Sequence, residues 1–306
     1  LINYFKKFKN IKKLNDLEKN LIIVNQYFPP DFASTGQLIE ELTNNFKNQK
    51  FNLTVLTGMP AYYFNKKYAK SVETKNNSLI IRSKLSRLIP KSLKGKHLNN
   101  ILFCLRVLTH ILYRNKKNNL IIYTTEPAYL PVFAWIFFKI TKIPYIILIY
   151  DIFPEILESL ELMSERNFII KIWKRLNKLA FDTSKELIVL SSGMQKKIST
   201  NYSIPSQKVN IISSWADKKY IFSYTREENY FLKKHNLERF FIVLYSGNQG
   251  RCHDFTTILN SAKILKNKKD ILFLFVGDGF QNKSIKKECI NNELTNCIFL
   301  PFQEKK

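Results

Sequence analysis

Apolar runs of strand length recur along the chain with helix-length segments between them, and this alternation restricts the fold more than any other feature. The runs fall at 21–25, 51–58, 78–83, 119–127, 144–150, 186–192 and 209–213. Between them, apolar residues return at the three- and four-residue spacing of one helix face. Strand and helix alternating at this interval predict parallel α/β layers with right-handed crossovers. A polar stretch at 215–238 follows. A second series then opens, with strands predicted at 239–250, 270–279 and 296–302 and helices at 254–267 and 281–291. The expected organisation is a basic leader at 1–20, a first α/β domain at 21–214, a linker at 215–238 and a second α/β domain at 239–306. Three strands leave sheet edges and one face under-covered, so the second domain reads as incomplete.

The most apolar run, 129–150, has the length of a membrane span. Lys139, Lys142 and Pro144 interrupt it near its middle, where charge is costly. A helix over 128–140 and a buried strand over 144–150 fit better, and the chain reads as soluble.

Residues 21–46 join a short apolar strand to a polar turn carrying Pro29, Pro30, Ser34, Thr35 and Gly36. A helix follows, with Leu38, Ile39, Leu42 and Phe46 at helical spacing. Two readings stand for this turn. It is a cradle for a phosphate or sugar-phosphate, built from free N–H groups, the helix dipole and small residues. Or it is an ordinary strand-to-helix turn with Ser34 or Thr35 as the helix cap.

The formal charge of +25 raises the question of nucleic acid. The lysines, however, are scattered among asparagine and isoleucine along the whole chain, and no zinc-finger or recognition-helix pattern accompanies them. Compositional bias explains most of the excess, an anionic membrane surface ranks second, and nucleic acid is not an expected partner. Two stretches would suit a membrane surface: a basic amphipathic segment at 1–18, and the basic run 82–97 leading into the apolar helix 98–113. A disordered leader and a solvated loop are the competing readings. Cys104, Cys252, Cys289 and Cys297 are dispersed, with no Cys-x-x-Cys pair and no histidine partners at zinc spacing. That points to a reducing compartment and no metal. No signal peptide is visible, and the first residue is Leu, as in a fragment or a chain with a non-standard start.

Six stretches in order carry a family resemblance: NQYFPPDFASTGQL at 25–38, YTTEPAYLP at 123–131, YDIFPE at 150–155, SSWADKKYI at 213–221, YSGNQGRCHDF at 245–255, and FLFVGDG with IFLPFQ near the end. Together they resemble bacterial nucleotide-sugar glycosyltransferases of the retaining, GT-B type, nearest the branch that assembles exopolysaccharide, colanic-acid-like and O-antigen units. The resemblance implies two Rossmann-like domains with parallel sheets facing across a cleft, the first for the acceptor and the second for the nucleotide-sugar donor. It implies transfer from a UDP- or GDP-sugar to a membrane-associated glycan or lipid-linked acceptor, without a cofactor, at the inner face of the plasma membrane. With no Asp-x-Asp, basic groups and helix dipoles are expected to meet the diphosphate charge.

Residue by residue, the resemblance places Gly247, Asn248, Gly250, Arg251 and His253, with Gly277 and Gly279, around the donor. Arg251 is the candidate for phosphate contact, and a solvated loop arginine is the plain alternative. Ser34, Thr35, Gly36 and Glu126 fall on the acceptor side. Asp151 ends a predicted strand where open α/β sheets bind ligands, and the resemblance sets it near the reacting sugar; its alternative is a cap for the helix after Pro154. Tyr150 stands where relatives often carry a base, and a phenol is a poor base at neutral pH. Glu155 reads as a first-turn dipole partner. Trp215 and Asp217 are expected to shape the cleft, with packing as the alternative for Trp215, and Ser214 replaces a common asparagine. Relatives continue past 300–302 into further units that grip the donor, so the chain is expected to be truncated. A catalytically silent sugar-nucleotide-binding remnant and a non-hydrolysing sugar epimerase are the alternatives.

Overall fold

In a computed structural model, the described residues are 19–31, 33–46, 51–60, 69–87, 93–113, 119–216, 221 and 223–303. The predicted basic segment at 1–18 lies outside them. The chain divides into two units after Trp215.

The first unit is built on an eight-stranded sheet. Its strands are β1 (Lys19–Val24), β2 (Phe51–Gly58), β3 (Val72–Lys75), β4 (Ser78–Ser83), β5 (Asn119–Thr124), β6 (Tyr145–Ile149), β7 (Glu186–Val189) and β8 (Val209–Ile211). Their spatial order is β3-β4-β2-β1-β5-β6-β7-β8. Every neighbouring pair is parallel except β3 with β4. The helices are α1 (Ser34–Phe46), α2 (Leu93–Tyr113), α3 (Leu130–Thr141), α4 (Glu155–Ser159), α5 (Phe168–Thr183) and α6 (Ser192–Tyr202).

Central strands buried on both faces read as continuous apolar runs, and β1 shows why. Leu21 and Ile23 enter one core with Ile39, Leu42 and Phe46 of α1. Ile22 and Val24 enter the opposite core with Phe103 and Val107 of α2, Phe137 of α3 and Phe181 of α5. Each such side chain fully withdrawn from water is worth about 1.5–3 kcal/mol. The run at 129–150 resolves into α3 and β6, and no described helix is long and apolar enough to cross a membrane.

The antiparallel edge strand β3 corrects the all-parallel expectation. Val-Glu-Thr-Lys is short, largely exposed and without apolar alternation, so its own residues carry no strand signal. The signal lies in the turn: Asn76 and Asn77 both take positive φ, 52° and 61°, as a tight hairpin requires. Arg82 of β4 then anchors the edge. Its guanidinium pairs with Glu73 of β3 at 2.7 Å and donates to the carbonyls of Lys70 at 3.0 Å and Pro29 at 2.6 Å. One buried cation thereby ties the hairpin to the loop after β1.

The second unit carries α7 (Tyr230–Lys234), β9 (Phe241–Ser246), α8 (Thr256–Ile264), β10 (Ile271–Val276), α9 (Asn282–Asn291) and β11 (Cys297–Leu300). Its described sheet is parallel, ordered β11-β10-β9. Leu259 and Ala262 of α8 and Ile285 and Cys289 of α9 pack on one face with Phe273 and Phe275. Leu237, Phe231 and Leu232 cover the other with Leu272, Leu274 and Val276. The end of the predicted linker is therefore part of this unit's core.

Replacing Arg82 removes the cation from three oxygen partners, and Glu73, about one-third exposed, regains only part of its hydration. Arg82→Met is expected to cost about 2–4 kcal/mol of unfolding free energy, read from urea denaturation of the chain. Glu73→Gln should cost less than half as much.

Candidate functional site

Strand order in the first sheet reverses between β1 and β5, and the loops leaving their carboxyl ends diverge. Ligands of open α/β sheets bind in such crevices. A buried polar set holds these loop origins together. Thr124 Oγ1 donates to Asn25 Oδ1 at 2.7 Å, and Asn25 Nδ2 donates to the Tyr27 carbonyl at 2.5 Å. The Gln26 carbonyl accepts from Gly58 N at 2.9 Å and from Thr57 Oγ1 at 3.1 Å. Gln26 N donates to the Glu126 carbonyl at 3.1 Å, and Gln26 Nε2 reaches Asn100 Oδ1 of α2 at 2.5 Å. The ends of β1, β2 and β5 and one helix thus form a single platform.

Helix α1 starts at Ser34, so Ser34 and Thr35 lie in its first turn instead of preceding it as caps. Gly36 is buried because a Cβ there would stand 3.0–3.2 Å from the Tyr27 and Phe28 backbone. Glu126 is half-buried in the loop after β5, and its backbone carbonyl belongs to the platform.

Thr125 Oγ1 accepts from both Tyr150 N at 3.1 Å and Asp151 N at 3.2 Å, fixing the turn after β6. Asp151 is half-buried, and burial raises its carboxyl pKa above the ordinary value. It does not cap α4: Pro154 occupies the cap position, with no side-chain cap bond. The Tyr150 hydroxyl is buried without a hydrogen-bond partner among the described residues, and burial pushes its pKa well above the ordinary phenol value, so it stays protonated. Glu155, 2% exposed in the first turn of α4, accepts from Asn201 Nδ2 at 3.3 Å and lies beside Tyr202, whose pKa is raised by burial and then by that carboxylate. Trp215 packs on the α1-side core with its Nε1 unpartnered, Ser214 is exposed, and Asp217 lies outside the described residues.

In the second unit, the loops after β9 and β10 interlock. Gln249, fully buried, donates its N–H to the Asp278 carbonyl at 2.9 Å and accepts from Gln281 N at 3.0 Å and Asn282 Nδ2 at 2.8 Å. Gln281 Nε2 returns to the carbonyls of Gly250 at 2.6 Å and His253 at 2.8 Å. Gly277 has φ +120°, and a Cβ on it would sit 2.3 Å from the Gly247 carbonyl oxygen. At Gly279 it would meet Gln249 N and O at 2.6 Å. These two glycines let the loops touch each other, while Gly247, at φ +149°, has open space around its Cβ position. A Cβ on Gly250 would meet only the Asn248 side chain, at 3.2 Å and beyond.

Arg251 is exposed, its guanidinium 3.8 Å from the Phe280 ring centroid. The ring orients the cation without neutralising it. Tyr245 donates its hydroxyl proton to the Asn248 carbonyl at 2.9 Å and also meets His253 Nδ1. With that proton committed, the phenol oxygen accepts from Nδ1–H, and His253 itself is exposed. Asp254 accepts from Thr256 N at 2.8 Å and Thr257 Oγ1 at 3.1 Å, and the Thr256 N–H lowers its pKa. A carboxylate of the chain already sits at the start of α8, so Arg251 is the cation this loop offers an anion. Sequence reading passed over Thr125, Gln249, Gln281 and Phe280. Their types are unremarkable, and only the meeting of separate loops gives them roles.

No protein-family model matches the chain. A curated relative, the probable glycosyltransferase WbjE of Pseudomonas aeruginosa, is 23% identical over 288 residues, covering 93% of this chain and 70% of that protein. Among solved structures, Thermosynechococcus elongatus sucrose-phosphate synthase aligns with TM-score 0.69 at 11% identity, covering 94% of this chain and 71% of that one. Anabaena HepE in complex with UDP and glucose aligns with TM-score 0.63 at 12% identity, covering 94% and 70%. WaaG, a glycosyltransferase involved in lipopolysaccharide biosynthesis, aligns with TM-score 0.63 at 12% identity, covering 93% and 70%. The fold class is the α/β, parallel-dominated fold of the GT-B glycosyltransferases.

Because burial raises its carboxyl pKa, Asp151 binds its proton more tightly in the folded chain than in the unfolded one between the two pKa values. Its ionisation therefore costs stability as pH climbs from about 3.9, the unfolded carboxylate value, through the folded value. Asp151→Asn should unfold at higher urea than the parent at pH 7, with the difference vanishing in acid. Gly277→Ala should destabilise the second unit by more than about 2 kcal/mol, whereas Gly250→Ala, facing only a movable side chain, should cost less than about 1 kcal/mol. Thermal melts of the three proteins check both.

Proposed function

We propose that the chain is a retaining glycosyltransferase that moves a hexose from a UDP- or GDP-linked donor to a membrane-associated glycan or lipid-linked acceptor in surface-polysaccharide synthesis. It would work as a peripheral protein at the inner face of the plasma membrane. The observation that carries the reading is the β9 loop. It presents an oriented guanidinium, with no ion-pair partner among the described residues, beside glycine-opened backbone at the carboxyl edge of a parallel sheet. A diphosphate leaving group suits that arrangement, because charge develops on it as the bond to the sugar breaks. The names of the relative and of the fold neighbours lend support. WbjE is called a probable glycosyltransferase, and HepE was solved with UDP and with UDP-glucose.

In this reading the second unit holds the donor: Arg251 binds the diphosphate, with the exposed His253 on the same loop. The first unit holds the acceptor, whose hydroxyl oxygen forms the new bond to the anomeric carbon as the carbon–oxygen bond to the diphosphate breaks, its proton passing to the departing diphosphate oxygen. Asp151, poorly hydrated and free of cap duties, takes a hydrogen bond from a sugar hydroxyl there. Tyr150, held protonated with its hydroxyl buried, does not act as a base. Ser34, Thr35 and Glu126 would contact the acceptor at the platform edge.

Isothermal titration of the chain with UDP, UDP-glucose and GDP tests the donor side. At least one should bind, and Arg251→Ala should weaken it about ten-fold or more, as loss of a charge-assisted contact does. Equal affinity in parent and variant, or no nucleotide binding, would remove the proposal's basis.

A further inference from the structure

A cavity of about 730 Å³ opens between the short helix α4, the turn after it, α5 and α6. Its lining gathers acid in a basic chain. Lysine and arginine outnumber aspartate and glutamate by 49 to 24, yet Glu155, Glu158, Glu161 and Glu165 all line this one space, against Lys174 and Lys197. Lys174 is tied into the wall by the two Glu158 oxygens, at 2.6 and 2.8 Å. Lys197 is exposed, and its long stem lets the ammonium turn to water. Glu155, Glu161 and Glu165 are left without an ion-pair partner among the described residues.

Glu155 is the innermost of the three, 2% exposed. Its Oε1 accepts one long bond, from Asn201 Nδ2 at 3.3 Å, and its Oε2 has no hydrogen-bond partner among the described residues. The neighbouring Tyr202 hydroxyl brings no charge to offset it. A carboxylate withdrawn from water and short of donors favours a cation at its side. Glu161 and Glu165 are exposed on the turn. Glu161 takes φ 54°, and the turn is fixed there by bonds from Glu161 N to the Glu158 carbonyl and from Leu162 N to the Leu157 carbonyl, both 2.9 Å.

The spread of this charge identifies the cation. No group of three or more His, Cys, Asp or Glu side chains among the described residues could hold a metal ion. The carboxylates ring the space instead of converging on a point, which suits several ammonium groups on one flexible chain. An amino sugar brings a single ammonium and would meet a single carboxylate. Met163, on the same lining, offers apolar surface to methylenes between the charges. We propose that this cavity binds an aliphatic polyamine, with one ammonium on Glu155 and the others on Glu161 and Glu165. Nothing in the glycosyl-transfer reading is needed for it, so the two stand or fall separately.

The test is isothermal titration of the full chain with spermidine. The overall charge of +25 repels a polycation, so saturable binding reads a site and not diffuse attraction. One-site binding is expected, tighter for spermidine than for putrescine or glucosamine, which carry fewer ammonium groups. Glu155→Gln should weaken it about ten-fold or more. Replacing a buried side chain also tests folding, so the exposed pair Glu161→Gln with Glu165→Gln is the second variant. It should weaken binding about three-fold or more, with the far-UV spectrum and melting temperature of the parent. Three results would overturn the proposal: no saturable spermidine binding, affinity unchanged in both variants, or full displacement by magnesium chloride at equal charge. Glucosamine binding more tightly than spermidine would reassign the cavity to an amino sugar, and tighter binding of tetralysine would reassign it to a basic segment of a partner protein.

Discussion

At the carboxyl edge of the first sheet, a hydrogen bond from Thr124 Oγ1 to Asn25 Oδ1 joins the ends of the two parallel strands between which the strand order reverses. Both side chains are fully buried, so either one left alone would cost about 1–3 kcal/mol. Asn25 spends its other side-chain atom on the Tyr27 carbonyl and thereby closes the start of the loop that leads to α1. Thr124 hands the chain to Thr125, whose hydroxyl gathers the amides of Tyr150 and Asp151. Three loops that a ligand would meet are set by neighbouring side chains on two strands.

The second unit reaches a comparable rigidity by another route. Its two glycine turns leave no room for a ligand between themselves, because Gly277 and Gly279 already touch the backbone of the loop after β9. Gln249 and Gln281 lock the contact with side-chain and backbone hydrogen bonds. What this makes available is the outer rim of the loop, where Arg251 stands over Phe280 and His253 is held by Tyr245. A rigid base under a charged rim costs little reorganisation when an anion arrives.

Electrostatics divides the molecule by role. The large positive charge is spread along the chain, so it does not by itself point to a site. Local context does. Asp151 is a carboxylate that burial disfavours, a signature that functional groups share. Arg82 is a cation fully spent on structure, paired to Glu73 and two carbonyls. Arg106, Lys139, Lys171 and Arg175 are exposed cations with no ion-pair partner among the described residues. Residues of one type thus serve an edge strand, a loop rim and a surface, according to what surrounds them.

The sequence by itself determined the alternating α/β layers, the place of the break near 215 and the carboxyl-edge loops. Hydrophobic period and run length are local properties, and strands such as β1 and β6 are buried on both faces, so their residues announce them. It also brought Asp151, Arg251 and the glycine turns into view, since strand ends and glycine pairs can be read in order along the chain. Only the tertiary structure decided which alternatives those residues took. Asp151 proved not to be a helix cap, Ser34 and Thr35 fell inside the first turn, and Gly277 and Gly279 were committed to loop–loop contact. Thr125 and Gln249 were legible in no local pattern, because each owes its place to a partner distant in sequence, and of the edge strand β3 the Asn76-Asn77 turn was the local sign. A hydrogen bond or a close backbone approach is a property of two segments, and neither segment carries it alone.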